Sequence, residues 1–258
     1  MASTQLNNLD EITNILVKIF SKLPEIIVQS NLNMIGNFFS KLSRVNRELA
    51  SLLFTQLKDQ VLQAFEQNMT IASLMEISFF LKCINNVDPR FVQRIFTSHD
   101  SLIENKFLSE INKLTFSNLS SFLRDIGTLN RFFTKELLEK FTDDLINYFK
   151  KRILDSDLRE IAELLITVAE IDEDFTSKLL SESTIKMTRR ISSEPLDSLT
   201  DFLSELAKFK TALDIFLSKF SDVIIVRIDQ AKRRNEDISG FLDLLRNIAP
   251  NLLSKIVS

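Results

Sequence analysis

Apolar residues recur along the chain in a fixed template. In the first part of the template, apolar residues stand at i, i+3, i+6, i+7, i+10 and i+13. In four copies Asn or Asp follows this part, and a second apolar run comes next. The copies begin at Leu32, Leu74, Phe116 and Leu158, at a constant step of 42, and then near Leu196 and Asn235 after steps of 38 and 39. A fixed period of this length is typical of helical solenoids.

The spacing within a copy indicates helices. It places all apolar positions of the first part on one helical face, and the alternation expected of a half-buried strand is nowhere sustained. The second run has a helical period too, and Asp100, Asp155 and Pro195 interrupt or end such runs. We therefore predict an all-α fold, an α-solenoid of about six helix-pair repeats with a period of 38–42, and a break in the second part of the repeat.

The repeat implies one elongated domain, because each copy contacts only its neighbours. We expect a single helical-repeat domain over residues 1–258. Within it, residues 1–31 form a capping unit, residues 32–234 the core repeats, and residues 235–258 an incomplete last repeat. The capping unit is expected because Leu9, Ile12, Ile15, Leu16 and Ile19 match the first part of the template.

A polar column separates the two parts of the early copies. A short polar side chain there can accept a hydrogen bond from a free N–H of the following helix, and prolines occupy the next column, where a missing N–H costs nothing. A metal array is disfavoured because no further ligands surround these residues and Lys210 and Ala249 break the column. The column consists of Asn46, Asp88, Asn130 and Asp172, with Pro89 and Pro250 next to it.

Composition supports a helical, intracellular chain. Three glycines and four prolines are too few for the turns of a β-rich fold. The 22 phenylalanines fall mostly in the apolar columns and indicate core. The single cysteine, Cys83, cannot pair internally and suits a reducing compartment. Asp10 and Glu11 argue against a mitochondrial presequence, so we expect the cytoplasm rather than an organelle. No apolar run approaches the ~18 residues of a membrane span, so no membrane insertion is expected.

The sequence offers no convincing catalytic site. The single histidine, His99, lies between Ser98 and Asp100, and adjacent residues on a turn do not form a nucleophile–base relay. There is no phosphate-binding glycine loop, no His/Cys metal spacing and no recognisable carboxylate pair. We predict that the protein is not an enzyme and needs no metal, cofactor or small-molecule substrate.

Charge differs between the two halves of the chain. Residues 1–130 carry 12 basic and 12 acidic residues, out of totals of 32 and 35. The first half therefore has the less charged exterior and is the better candidate for a surface that faces a protein.

The second half carries basic clusters at repeating positions, which stacked repeats would align along one edge. Such an edge can follow a phosphate backbone. The alternative is structural, since cations near a helix C-terminus complement the helix dipole and the remaining carbonyl groups. The overall pI near 5.4 weighs against nucleic acid. The clusters are Lys150, Lys151 and Arg152, then Arg189 and Arg190, then Lys232, Arg233 and Arg234.

Residues 115–130 (TFSNLSSFLRDIGTLN) and 157–172 (DLREIAELLITVAEID) resemble the first helix of octotricopeptide-type repeats. Members of that family act on organellar RNA, although this chain lacks their usual tryptophan and proline-rich signatures. The same segments are similar to HEAT-like arrays, which mostly bind proteins. The expected function is a non-catalytic helical-repeat scaffold that binds a protein partner along its extended surface. The alternative is RNA binding through the basic edge of the C-terminal half.

Overall fold

The computed structural model describes residues 20–257, except for the side chain of Val257. The predicted capping residues Leu9 to Ile19 lie outside the described part. Every regular element from residue 20 to residue 257 is helical, so the all-α prediction is confirmed there. The α-helices are α1 (residues 20–29), α2 (Leu32–Val45), α3 (Arg47–Asn68), α4 (Leu74–Asn85), α5 (Pro89–Ser98), α6 (Asp100–Glu110), α7 (Phe116–Leu129), α8 (Arg131–Lys140), α9 (Thr142–Arg152), α10 (Leu158–Ile171), α11 (Glu173–Glu182), α12 (Thr184–Ser193), α13 (Leu196–Leu206), α14 (Lys210–Arg233), α15 (Ser239–Ile248) and α16 (Pro250–Val257), with a 3-10 helix at Ile111–Lys113.

The first helix of each of the first five copies begins where the template begins. These helices are α2, α4, α7, α10 and α13. Four of them are capped by a polar residue directly before the first apolar position, and the caps Asn31, Ser73, Thr115 and Asp157 follow the same constant step as the copies. Ser73 and Glu76 form a reciprocal capping box. Local hydrogen bonding therefore fixes the start of each of these four helices.

The Asn/Asp column caps the second helices, as predicted. The side-chain oxygen of each of its four residues accepts a hydrogen bond from the backbone N–H three residues later, over 2.9 to 3.1 Å. Asn46 caps α3, Asp88 caps α5, Asn130 caps α8 and Asp172 caps α11. Pro89 is the first residue of α5 and Pro250 the first of α16, where neither costs a hydrogen bond.

The second part of the repeat is divided in three copies and continuous in two. The breaks lie at His99, Phe141 and Ser183, which occupy the same position in their copies. The backbone angles of the last two lie near the bridge region rather than the helical region. These copies hence contain three helices rather than a pair. In the first and fifth copies the same region is a single helix, α3 of 22 residues and α14 of 24.

The last copy departs from the template at its first column. Asn235 adopts φ 55°, and α15 begins only at Ser239. The Glu236 N–H donates to the Ala231 carbonyl, and the Asn235 N–H to that of Lys232. This left-handed residue and its two hydrogen bonds form a Schellman motif. Asn235 therefore ends α14 instead of starting the next helix.

The described part of the chain comprises two compact units, an N-terminal and a C-terminal one, which divide between Phe107 and Leu108. In the N-terminal unit α2 packs on α4, where a Cβ on Gly36 would lie 3.4 Å from the Cα of Phe80. Edge-to-face phenylalanine contacts link Phe39 to Phe54 at 5.1 Å and Phe54 to Phe91 at 5.0 Å. These rings join α2, α3 and α5 into one core.

The C-terminal unit repeats this layered packing. α10 packs between α7 and α13, and α14 packs against α11 and α12. Phe116 meets Tyr148 edge to face at 5.4 Å, and Phe202 meets Phe216 at 5.0 Å. In this unit the first helices of neighbouring copies thus contact one another, and so do the helices of their second parts. The C-terminal ends of these second-part helices lie side by side.

Candidate functional site

The three basic clusters lie at the C-terminal ends of α9, α12 and α14. Lys150, Lys151 and Arg152 are the last three residues of α9, and Arg189 and Arg190 lie near the end of α12. Lys232 and Arg233 end α14, and Arg234 is its C-cap. Lys186 and Arg190 contact the end of α9 and the loop after it, which brings the first two clusters side by side, and α14, which carries the third, packs against α12. We call these three helix ends the basic edge.

Arg190 is committed to the backbone of the preceding copy. Its Nη1 donates to the Leu154 carbonyl at 2.9 Å and its Nη2 to the Ser156 carbonyl at 3.0 Å. Its Nη1 also lies 3.0 Å from a Glu194 carboxylate oxygen, and the side chain is only 20% exposed. The two carbonyls belong to the loop after α9, so this guanidinium joins two copies and is already neutralised.

The first cluster is largely engaged as well. Arg152 donates to the Asn112 carbonyl at 3.0 Å, and its guanidinium lies 5.4 Å from the centre of the Tyr148 ring. Lys150 forms a 3.2 Å ion pair with Glu182 on α11. Two of these three cations therefore hold neighbouring segments together.

The third cluster is more exposed but has local partners. The Lys232 ammonium donates to the Ile256 carbonyl at 3.3 Å and lies 3.9 Å from Asp229. Arg234 lies 3.7 Å from Glu236 and is 68% exposed, so its ion pair is worth little.

Three cations of the edge have no partner in the part of the chain that the structure describes. Lys151, Arg189 and Arg233 are exposed, and none of them makes a hydrogen bond or ion pair with the described residues. They occupy the ends of three successive second-part helices. Any role of this edge in binding a phosphate backbone would rest chiefly on them.

A column of polar donors went unnoticed in the sequence. Lys106, Tyr148 and Arg190 occupy the same position in successive copies, and each donates to a loop carbonyl 34 to 36 residues earlier. The acceptors are the carbonyls of Thr70 for Lys106 and Leu114 for Tyr148, and Arg227 makes the same bond to Glu194 at 3.0 Å. The repeat period is the sequence signal for this column. It is hard to recognise because an amine, a phenol and a guanidinium share only their ability to donate a hydrogen bond.

The single histidine pairs with a carboxylate of α3. His99 Nε2 lies 2.9 Å from a Glu66 carboxylate oxygen, and the residue is the C-cap of α5. Burial raises the pKa of the Cys83 thiol, which opposes formation of a reactive thiolate, although a hydrogen bond with Ser40 offsets part of this effect. Among residues 20–257, no three or more His, Cys, Asp or Glu side chains cluster as a metal site would require.

A polar groove of 550 Å³ lies between α10, α12 and α13. Four of its charged side chains form two ion pairs: Arg190 with Glu194 at 3.0 Å, and Lys208 with Glu205 at 2.6 Å. Asp157 in its wall is the N-cap of α10. These residues are accounted for by helix ends and ion pairs.

The N-terminal unit carries an apolar groove of 330 Å³ between α1 and α3. None of the described residues that line it is charged. Eight of the twelve large apolar side chains exposed in the described part belong to this unit, including Val45 at 85% and Leu52 at 60%. We call this surface the apolar groove; its lining is Phe20, Pro24, Leu49, Leu52, Leu53, Gln56 and Leu57.

No family model, curated protein or solved structure matches this chain. Between residues 20 and 257, no helix is both long enough and apolar enough to cross a membrane.

Proposed function

We propose that the protein is a non-catalytic scaffold, an α-solenoid of about six copies, that binds a protein partner along its surface. The regular helix starts and the two columns of caps support the repeat architecture. Solenoids present extended surfaces of this kind to their ligands.

The observation that carries the proposal is the concentration of exposed apolar side chains in the N-terminal unit. A folded chain normally covers such groups, and a contiguous patch with an uncharged groove is typical of protein contact sites. The apolar groove, with Leu49 at 42% and Leu52 at 60% exposure, supplies both features.

RNA binding through the basic edge is the alternative proposal. In its favour, Lys151, Arg189 and Arg233 at successive helix ends are exposed and have no partner among residues 20–257. Against it, the other five candidate cations already contact carbonyl or carboxylate oxygens. An edge with three available cations would neutralise few phosphates, and affinity for nucleic acid rises with the number neutralised.

Purification of the tagged full chain from its own cells, with and without nuclease, tests the two proposals. We expect protein partners to remain after nuclease treatment and to remain for the triple variant Lys151→Glu, Arg189→Glu, Arg233→Glu. Loss of all partners after nuclease, together with an RNA gel shift that weakens steeply with salt and disappears in the triple variant, would reverse the order of the two proposals.

A further inference from the structure

We infer that residues 12–19 of this chain occupy the Leu49 side of the apolar groove. Ile12 covers Leu49 there, one repeat period before an equivalent contact between α3 and α5. The inference rests on the proposed protein-binding function in one respect, because it defines which part of the groove is left to a partner.

Leu49 occupies a position that later copies cover. Its side chain is 42% exposed, whereas Phe91, one period of 42 residues later, is 6% exposed. The ring of Phe91 meets the ring of Phe54 on α3 at 5.0 Å, and Phe54 is fully buried. A side chain from the second part of the preceding copy therefore covers Phe91.

α1 is placed against α3 in the same register in which α3 is placed against the second part of the next copy. Glu66 near the end of α3 lies 2.9 Å from His99. The residues 42 positions before these two are Pro24 and Leu57, which both line the apolar groove. The contact between α1 and α3 is thus the counterpart of a contact seen one period later.

The buried side chains of α1 agree with this register. Its two buried apolar residues each stand 42 positions before a buried residue of α3 or its C-cap: Leu23 before Phe65, and Ile27 before Met69. This register assigns the residues before α1 to the second part of a copy, although their apolar spacing also fits the first part.

The sequence continues the register back to residue 12. Three isoleucines stand 42 positions before buried side chains of α3: Ile12, Ile15 and Ile19, before Phe54, Leu57 and Val61. Between them, the polar Asn14 corresponds to Gln56, which is exposed. Apolar residues therefore occupy the columns that α3 buries, and Ile12 has the position relative to Leu49 that Phe54 has relative to Phe91.

Chain continuity favours this occupant over a separate protein. Ile19 is joined directly to Phe20, which lines the groove. A tethered segment meets its site at a high effective concentration. The cover of Leu49 therefore needs no second molecule.

The same register leaves Leu52 open. Leu52 is 60% exposed, and its equivalent Arg94 in the second copy is exposed as well. A partner of the proposed scaffold would therefore meet Leu52 directly. To reach Leu49, it would have to displace residues 12–19.

The reactivity of a thiol at position 49 tests the inference in the full chain without any partner. Modification of Leu49→Cys by N-ethylmaleimide is compared with that of Ile185→Cys, since Ile185 is 87% exposed in the C-terminal unit. The unsubstituted chain gives the background from the buried Cys83. We expect Leu49→Cys to react at least about tenfold more slowly than Ile185→Cys, because a covered thiol is protected from the reagent.

Substitutions in residues 12–19 then identify the cover. Ile12→Asp, added to Leu49→Cys, should raise the rate at least about fivefold, while the matched control Asn14→Asp should change it less than about twofold. Ile12→Val keeps an apolar side chain and should keep the slow rate. Leu52→Cys should react at nearly the rate of Ile185→Cys, with or without Ile12→Asp.

The remaining outcomes count against the inference. Similar rates for Leu49→Cys and Ile185→Cys, or no effect of Ile12→Asp, would overturn it. A slow rate at position 49 that rises on dilution would overturn it too, since a second copy would then be the cover. These rates involve no partner, so the nuclease purification that tests the proposed function succeeds or fails independently. Circular dichroism of each variant checks that a faster rate is not loss of fold.

Discussion

The guanidinium of Arg190 donates a hydrogen bond of 2.9 Å to the carbonyl oxygen of Leu154, 36 residues earlier in the chain. Leu154 lies in the loop after α9. The bond therefore satisfies a loop carbonyl and attaches the next copy at the same time. It gives Arg190 a structural role that needs no ligand.

Replacement of Arg190 by alanine should lower the free energy of unfolding by about 2 kcal/mol, because the Leu154 and Ser156 carbonyls both lose a charged donor. The neighbouring Arg189→Ala is the matched control and should stay within about 0.5 kcal/mol, as for other surface changes. Urea unfolding followed by circular dichroism measures both. Equal stabilities of the two variants would contradict the structural role of Arg190.

Substitution of Asp172 tests whether the Asn/Asp column stabilises the chain through helix caps. Asp172→Ala should lower the free energy of unfolding by about 1 kcal/mol, whereas Asp172→Asn keeps an oxygen for the Phe175 N–H and should cost less. If alanine and asparagine proved equally destabilising in urea, the capping interpretation would fail.

The pH dependence of the Asp172 variants provides a second test. Burial alone would raise the pKa of Asp172, but hydrogen bonds from the Phe175 N–H and Lys135 and the charge of Lys135 lower it overall. A lowered folded-state pKa contributes stability that is present above the unfolded value, near 3.9, and is lost as pH falls through the folded value. The stability gap between the native chain and Asp172→Asn should therefore narrow as the pH of urea titrations falls from about 5 towards 2. A constant gap would mean that the ion pair contributes nothing.

Tyr148, the single tyrosine, is a natural probe of the C-terminal unit. Its hydroxyl donates to the Leu114 carbonyl at 3.1 Å, and burial raises its pKa well above the usual range. Absorbance at 295 nm should stay flat in the native protein through about pH 11, and should titrate near 10 in urea. Because the folded state raises the pKa of Tyr148, the buried neutral phenol contributes stability at pH values below the unfolded-state pKa. This stability is lost as the pH rises through the folded-state pKa.

Tyr148→Phe keeps the ring contact with Phe116 but leaves the Leu114 carbonyl without its donor. We expect a loss of about 1 kcal/mol in the free energy of unfolding. A native protein whose tyrosine titrates near pH 10, or a phenylalanine variant of full stability, would show that this hydrogen bond is not maintained in solution.

Gly36 and Gly240 should respond in opposite directions to substitution. A Cβ on Gly36 would touch Cys83, Phe79 and Phe80 at 3.4 Å, so Gly36→Leu has no space between α2 and α4 and should cost about 3 kcal/mol or more. A Cβ on Gly240 meets nothing within 4 Å, so Gly240→Ala should stabilise by up to about 1 kcal/mol through helix propensity. Thermal unfolding midpoints would measure both, and a tolerated Gly36→Leu would contradict the close approach of α2 and α4.

Local interactions explain what the sequence by itself determined. The apolar spacing sets the helical face, and a polar residue at a helix start bonds to an N–H only two or three residues away. The sequence alone therefore predicted the all-α class, the role of the column at Asn46, and the starts of α2, α4, α7, α10 and α13. The same short-range logic raised the dipole interpretation of the basic clusters, which stays a prediction.

Only the tertiary structure decided which of those cations have a hydrogen-bond or ion-pair partner. Arg189 and Arg190 are neighbours with the same charge, yet only Arg190 reaches a carbonyl, because the direction of a side chain from α12 and the path of the loop after α9 select it. Likewise, the exposure of Leu49 and the burial of Phe91 depend on whether a neighbouring helix covers that position. Contacts between residues of neighbouring copies cannot be read from the spacing within one copy. The cations without partners among the described residues, and the apolar groove, are therefore defined only by the packing of the copies.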